Sequence, residues 1–470
     1  MPQTYLFYDL ETTGLNKCFD QVMQFAAIRT DENLIELERH EYFVKINPDV
    51  IPSPEAMITH GLDLNLCSNG LPEIEAMEKI HALMNTPGTI SLGYNTLGFD
   101  DEFLRFSFYR NLFPPYTHQY VNHCGRMDLY PIVILYYLYC KEALNWPSRN
   151  GNISLKLEDL NHENQLAPGL AHNALVDVQA TIALAKKLRN QEKMWNYSVG
   201  YFNKKIDTER CLHLPAAFSD YDHNIKEGLI ILGRLGAKLN FQAPVISLGQ
   251  HQHYRNQTLW LRLDFENFAE ITTDNIEENN YVFRKRCGED PFLLPPKPDY
   301  LQQIGSERLK LAHENKQWLA HNPQKLQRIA QYHQSYKYPE VLHCDLDAML
   351  YQRGFPTPHD EQQMQKFHAA PLSEKLNIAK QFSDVLYREQ ALRIIARNYP
   401  KLLDDESYQE LVPYFAQLEQ PNAIVDYRNQ SHPTKAQTLA KIAELTAKII
   451  DPTHLKLLAD LKIFLERRKS

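Results

Sequence analysis

Thr4-Tyr5-Leu6-Phe7-Tyr8-Asp9-Leu10-Glu11-Thr12-Thr13-Gly14 opens with aromatic and apolar residues that read as a buried strand, Tyr5–Tyr8, and closes on a glycine turn. Alternate side chains of a strand share a face, so Asp9 and Glu11 stand side by side at its end. Like charges this close raise each other's pKa, whereas a divalent cation between them reverses the sign of the interaction. The pair points to a hard metal, and a solvated strand end is the alternative that the stretch alone leaves open.

Outward from this strand, the chain alternates short strands and helices for about its first 190 residues. Gln21–Arg29 and Tyr42–Ile46 read as further strands, with few residues between them, an antiparallel start to the sheet. Glu73 to Met84 has helical spacing, Thr89–Asn95 reads as a strand, and helices follow from Asp101, Asp128 and Leu155. A last helix runs from about Asn173 to Gln191 and ends in Lys-Lys-Leu-Arg, where the macrodipole favours cations. The pattern predicts an α/β domain with a mixed sheet.

From about Met194 short β-like runs appear at 228–232, 244–248 and 258–263, followed by helical segments near Glu307–Leu319 and Gln324–Tyr336. Beyond Asp345 almost every stretch has helical period, including Leu372–Arg397, Asp405–Leu418 and Lys435–Ile450. The expected division is therefore 1–192, 193–345 and 346–470, in a chain of 470 residues that exceeds the usual size of a single core.

Composition narrows the partners only partly. The net charge of −8 disfavours a uniformly basic surface coating nucleic acid but leaves room for a local basic groove. The richest apolar stretch, Pro131 to Cys140, is too short to span a bilayer, so no membrane is expected. With no basic, apolar leader before the first strand, the cytoplasm is the expected compartment. The seven cysteines are scattered, form no Cys-x-x-Cys, and read as reduced thiols.

Two further sites carry acids. In Leu92-Gly93-Tyr94-Asn95-Thr96-Leu97-Gly98-Phe99-Asp100-Asp101 a strand ends and a helix begins, so Asp100 fits an N-cap as well as a ligand, and Asp101 fits the cap too. In Ala171-His172-Asn173-Ala174-Leu175-Val176-Asp177, five helical residues turn through about 140°, so His172 meets Asp177 only from the entering loop or first turn. His251 and His253 lack a third ligand at metal spacing and read as a polar loop. Asp128–Tyr139 reads as a core helix.

Asp-x-Glu-Thr-x-Gly, Asn-x(4)-Asp and His-x(4)-Asp, in this order, resemble the DEDD exonucleases of the histidine subtype, whose fold is ribonuclease-H-like. Gln24-Phe25-Ala26-Ala27-Ile28-Arg29-Thr30, Phe99-Asp100-Asp101-Glu102, Phe108-Tyr109-Arg110-Asn111, Asn145-Trp146-Pro147 and Ala396-Arg397-Asn398-Tyr399-Pro400 narrow the resemblance to the bacterial exonuclease I family. It spans nearly the whole chain and is patchier from Asp220 to Tyr336. It implies a ribonuclease-H-like exonuclease domain, a small SH3-like, mostly β domain and an all-α C-terminal domain closing over a passage for single-stranded DNA.

The implied activity is metal-dependent 3′ to 5′ digestion of single-stranded DNA to 5′-mononucleotides in DNA repair and recombination. Asp9, Glu11, Asp100 and Asp177 are the implied ligands of two Mg²⁺ ions, with Mn²⁺ as a substitute, and oxygen donors suit such hard cations. His172 is the implied general base. For the DNA, the resemblance points to Glu11, Arg105 and Lys156, and the flat rings of Tyr116 and Tyr120 offer stacking faces. Lys156 departs from the arginine expected there and Gly98 from a larger residue, which weakens bidentate phosphate contact to a point charge at residue 156. The family further implies a monomer that docks the C-terminal tail of single-stranded-DNA-binding protein. A ribonuclease or proofreading subunit of the same superfamily, and a silent DNA-binding scaffold, are the rivals.

Overall fold

The computed structural model describes residues 3–169, 173–220, 223–266, 268–270 and 281–468. Strands β1 (Thr4–Thr12), β2 (Val22–Thr30), β3 (Glu36–Phe43), β4 (Thr89–Gly93) and β5 (Gly125–Asp128) form one sheet in the order β3-β2-β1-β4-β5. β1 pairs antiparallel with β2 and parallel with β4, the mixed sheet that the sequence predicts. Covered on both faces, this central strand is apolar without alternation: Leu6, Phe7 and Tyr8 are all buried.

The pairing of β1 sets the position of its two acids. Pairing with β4 stops at Phe7↔Leu92, while pairing with β2 continues past Asp9↔Ala26 to Glu11↔Gln24. Asp9 and Glu11 thus extend beyond the parallel neighbour, leaving that flank of β1 free of strand pairing. The chain leaves β4 through Gly93, where a Cβ would lie 2.6 Å from the Tyr8 carbonyl oxygen and collide with the Thr96 methyl. Only glycine permits that approach.

By compactness the chain falls into two units, one of Met1–Arg126, Pro168–Gln179 and Pro339–Ser470, the other of Met127–Ala167 and Ala180–Tyr338. In the first, the C-terminal helices share cores with the region of the β1–β5 sheet. Leu458, Leu461 and Leu465 pack with Met23, Ile46 and Met57, and Phe367, Leu392 and Ile395 pack with Ile74 and Leu112. Each fully buried aliphatic side chain contributes about 1.5–3 kcal/mol. A buried ionic cluster joins the same parts: Arg397 pairs with Asp49 at 2.7 Å and with Asp347, and the Tyr414 hydroxyl donates to Asp49 at 2.6 Å. From Pro358 onward the described elements are helical, as expected, among them Val385–Asn398, Asp405–Leu418 and Pro452–Arg467.

The second unit carries a further antiparallel sheet, strands Val282–Arg286, Gln257–Arg262, Gln242–Gln250, His223–Ile231 and Phe292–Leu294 in that order. Helices Ser306–His321 and Pro323–Ser335 cover it through Ala312, Leu319, Leu326 and Ile329. Helix Leu129–Tyr139 is a core helix, as its composition predicts, and the buried Tyr136 hydroxyl donates to the Leu188 carbonyl at 2.7 Å. His251 is a turn residue whose Nδ1 accepts the His253 amide at 3.1 Å. No described helix is long and apolar enough to cross a membrane.

Candidate active site

Asp9 and Glu11 project from β1 on one face, and Asp177 comes from the first turn of helix Ala174–Arg189. Asn173 sets that helix start: its Oδ1 accepts the amides of Leu175 at 3.2 Å and Val176 at 3.3 Å, and its carbonyl accepts the Asp177 amide at 3.0 Å. The result is three carboxylates, each only partly exposed, with oxygens within 4.8 Å of one another. Asp100, the first residue of helix Asp100–Arg110, is buried and close enough for its charge to raise the pKa of Asp9 and Glu11. His172 lies outside the described residues.

The electrostatics are those of crowded, largely buried acids. Burial, then Asp100, Glu11 and Asp177, hold the Asp9 carboxyl well above the usual carboxylate range. Burial, then Asp177 and Asp100, push Glu11 up to about 8. Oxygen donors with no thiolate, three of them within 4.8 Å and Asp100 coupled to two of those, fit a hard divalent cation, which offsets the repulsion that raises Asp9 and Glu11.

Beside this cluster lies a network that sequence reasoning missed. Asp101 is fully buried, with Arg126 at 2.6 Å, His118 at 2.8 Å and Arg105 at 3.1 Å. Burial works to raise its pKa, but Arg126, Arg105 and His118 outweigh it and hold the carboxyl well below the usual range. Burial in turn lowers His118, whose Nε2 donates to the Asp101 carboxylate, an acceptor only. Asp101 is therefore an anchor of the first helical turn, not its cap, and it holds the adjacent Asp100 in place. No local pattern marks this network, because His118, in a short 3-10 helix, and Arg126, on β5, lie 17 and 25 residues from Asp101 along the chain. The turn after β1 is fixed similarly: Asp20 accepts from Thr13 Oγ1 at 2.8 Å and the Asn16 amide at 2.9 Å, and a Cβ on Gly14 would overlap its carboxylate.

The residues expected at the DNA are dispersed. Arg105 is engaged by Asp101 and lies 5.9 Å from the Tyr116 ring, which packs edge-on to Phe355. Tyr120 is 67% exposed, a free stacking face in area, whereas Lys156 belongs to the second unit, exposed and 3.5 Å from Glu158. Nothing fills the space that a side chain on Gly98 would occupy.

A mixed ribonuclease-H-like sheet with three clustered carboxylates, Asp9, Glu11 and Asp177, and Asp100 electrostatically coupled to two of them, fits an exonuclease of the DEDD class. A family model described as "Exonuclease" matches residues 6–185, and one described as "Exonuclease I C-terminal domain" matches residues 344–468. The chain is 27% identical to exodeoxyribonuclease I of Escherichia coli over 449 residues, 91% of this chain and 92% of the relative. The crystal structure of E. coli exonuclease I in complex with a dA16 oligonucleotide superposes with a TM-score of 0.86 at 26% identity, covering 99% of this chain and 100% of that one. A structure of SSB/exonuclease I in complex with an inhibitor gives 0.82 at 25% identity, covering both chains fully. The chain belongs to the exodeoxyribonuclease I family.

Proposed function

We propose that this exodeoxyribonuclease degrades single-stranded DNA from the 3′ end to 5′-mononucleotides, in DNA repair and recombination. The observation that carries the reading is the meeting of Asp9, Glu11 and Asp177 oxygens within 4.8 Å, with Asp100 coupled to them. The oligonucleotide bound to the E. coli relative supports the substrate, and the 3′ polarity rests on the family resemblance alone.

Asp9, Glu11, Asp100 and Asp177 would hold two divalent ions, Mg²⁺ or Mn²⁺. When bound, such ions supply Lewis-acid stabilisation of charge on the phosphoryl group being transferred. Asp101, His118 and Arg126 keep the first turn of helix Asp100–Arg110 in register, so that Asp100 meets the cluster without rearrangement. His172, one residue before the Asn173 cap, is placed by sequence to take the proton of the attacking water as general base. Glu11 also faces the substrate in this reading. Tyr116 and Tyr120 stack bases, each worth roughly 1–3 kcal/mol, while Arg105, shared with Asp101, and Lys156 meet phosphates. The SSB complex of the relative supports docking of the tail of single-stranded-DNA-binding protein, and the chain acts as a monomer.

Digestion of end-labelled single- and double-stranded DNA and matched RNA, with and without Mg²⁺, tests the reading. Expected is chelator-sensitive release of 5′-mononucleotides from the 3′ end of single-stranded DNA. Release from the 5′ end, equal release from RNA, or release in chelator contradicts it. Replacing His172 by Ala should cost about 10²–10⁴ in rate, and an unchanged rate removes the imidazole from the mechanism.

A further inference from the structure

Besides the acidic cluster, the first unit holds a cavity of about 350 Å³ lined by three cations, Lys45, Arg397 and Arg468, and by no carboxylate among the described residues. Phe464, Pro48 and Pro400 supply apolar wall. The cations come from three places in the chain: the segment after β3, the helix Val385–Asn398, and the residue that caps the end of helix Pro452–Arg467.

Each cation is fixed in place with donors to spare. Arg397 gives its Nε and Nη2 to Asp49, Asp347 and the Tyr414 hydroxyl, yet its Nη1 has no hydrogen-bond partner although the side chain is only 7% exposed. Buried donors are ordinarily paired, so this one calls for an acceptor. Asp49 and Asp347, the acids bound to Arg397, do not line the cavity. Arg468 donates to three backbone carbonyls, Val50 at 2.5 Å, Ile46 at 3.3 Å and Pro48 at 3.4 Å, and forms no ion pair among the described residues. Neutral acceptors thus hold the guanidinium without an opposite charge in contact, and burial lowers it to about 10 against the pull of Asp49. Lys45 is exposed and likewise forms no ion pair among the described residues. Its backbone is pinned from both sides, the amide donating to the Leu71 carbonyl at 2.8 Å and the carbonyl accepting Gln21 Nε2 at 2.8 Å.

Three cations with no acid among them favour a multiply charged anion over a single carboxylate, and guanidinium groups match phosphate oxygens in geometry. The volume exceeds what a bare phosphate fills and lies at the lower end for small-molecule pockets, about 300–1,000 Å³. We propose that this cavity binds a small phosphomonoester, its phosphate held by Lys45, Arg397 and Arg468 and its organic body lying against Phe464 and the prolines. Such a phosphate carries about −1.5 to −2 charges at pH 7, which the three cations match. A nucleoside monophosphate has both parts, the dianion and a flat ring.

Isothermal titration calorimetry of the full chain tests the site, with deoxyadenosine 5′-monophosphate, inorganic phosphate and deoxyadenosine as titrants. Chelator is present throughout, so that no metal bridges the nucleotide to the acidic cluster. Expected are one-to-one binding of the monophosphate, weaker binding of inorganic phosphate in competition with it, and no binding of deoxyadenosine. Lys45→Glu and Arg468→Gln should each weaken the monophosphate by about tenfold or more, the loss of one charge-assisted contact, and Asp177→Asn should leave its affinity unchanged. Because Lys45 is exposed, Lys45→Glu keeps the fold even where Arg468→Gln does not, and an unchanged thermal midpoint checks this. No binding at millimolar monophosphate, inorganic phosphate binding as tightly as the monophosphate, wild-type affinity in Lys45→Glu, or loss of binding in Asp177→Asn overturns the proposal. None of these readouts requires cleavage of DNA.

Discussion

Glu11→Gln removes one charge from the acid cluster while keeping its shape. In the folded chain burial, Asp177 and Asp100 raise the Glu11 carboxyl from 4.5 to about 8. A rise of about 3.5 units at 1.36 kcal/mol per unit is about 5 kcal/mol against the ionised form. The folded chain binds this proton more tightly than the unfolded chain does. The associated stability is therefore full below pH 4.5 and lost as pH rises through about 8. Glutamine does not titrate. In chelator, the thermal midpoint of the wild type should fall between pH 5 and pH 8.5, and that of Glu11→Gln should fall less, by several degrees at about 1 °C per kcal/mol for a chain of 470 residues. With Mg²⁺ at pH 8.5 the order should reverse, because ions that bind only the native state stabilise it and the variant has lost a ligand. Differential scanning calorimetry of both proteins, in chelator and in Mg²⁺, reads all four cases. Parallel pH curves in chelator, or equal gains from Mg²⁺, would refute the electrostatic reasoning.

Other consequences stem from the packing around the site. Arg397→Met leaves the buried Asp49 with the Tyr414 hydroxyl and Asp347 with Arg393 at 3.4 Å, but removes the cation that both share, and should cost about 3–5 kcal/mol, seen as a lower thermal midpoint; an unchanged midpoint would mean that Arg397 contributes nothing. Although burial opposes it, Arg397 holds Asp49 below the usual range, so this stability is present above about pH 4 and the gap between wild type and variant should close in acid. Gly93→Ala drives a methyl into Thr96 and the Tyr8 carbonyl and should cost about 1–3 kcal/mol, with a fall in nuclease rate because β1 carries Asp9 and Glu11; full activity at wild-type stability would show that the backbone relaxes freely. Asp101→Asn should lower the nuclease rate more than binding of single-stranded DNA, since it loosens the turn that holds Asp100, and equal losses in rate and affinity would argue for a direct contact instead.

What sequence reveals of this fold depends on where each element's signal resides. β1 is legible from Tyr5 to Tyr8, where it is apolar, yet it runs on to Thr12 because backbone pairing with β2 continues under the charged residues. β3 is displaced for the same reason: the apolar pattern predicts a strand at Tyr42–Ile46, but the strand is Glu36–Phe43, a largely exposed, polar edge strand that β2 alone holds. Glu73–Met84 and Asp405–Leu418 coincide with their predicted helices, since amphipathic period and helix ends agree there. Leu372–Arg397 reads as one periodic run but breaks before Val385, where Asp384 caps a new helix through the amides of Leu386 and Tyr387. At the site, alternation along β1 suffices for Asp9 and Glu11. Asp100 and Asp177 take their meaning from spacing shared with a family, and the Asp101–His118–Arg126 network exists only once residues far apart in sequence meet.

Crystals of the full chain soaked in Mn²⁺ and measured at the manganese absorption edge would address the acid cluster most directly. The account predicts anomalous peaks within coordination distance of Asp9, Glu11, Asp100 and Asp177, lost in Asp177→Asn. Manganese bound elsewhere, or none between β1 and the start of helix Ala174–Arg189, would contradict it.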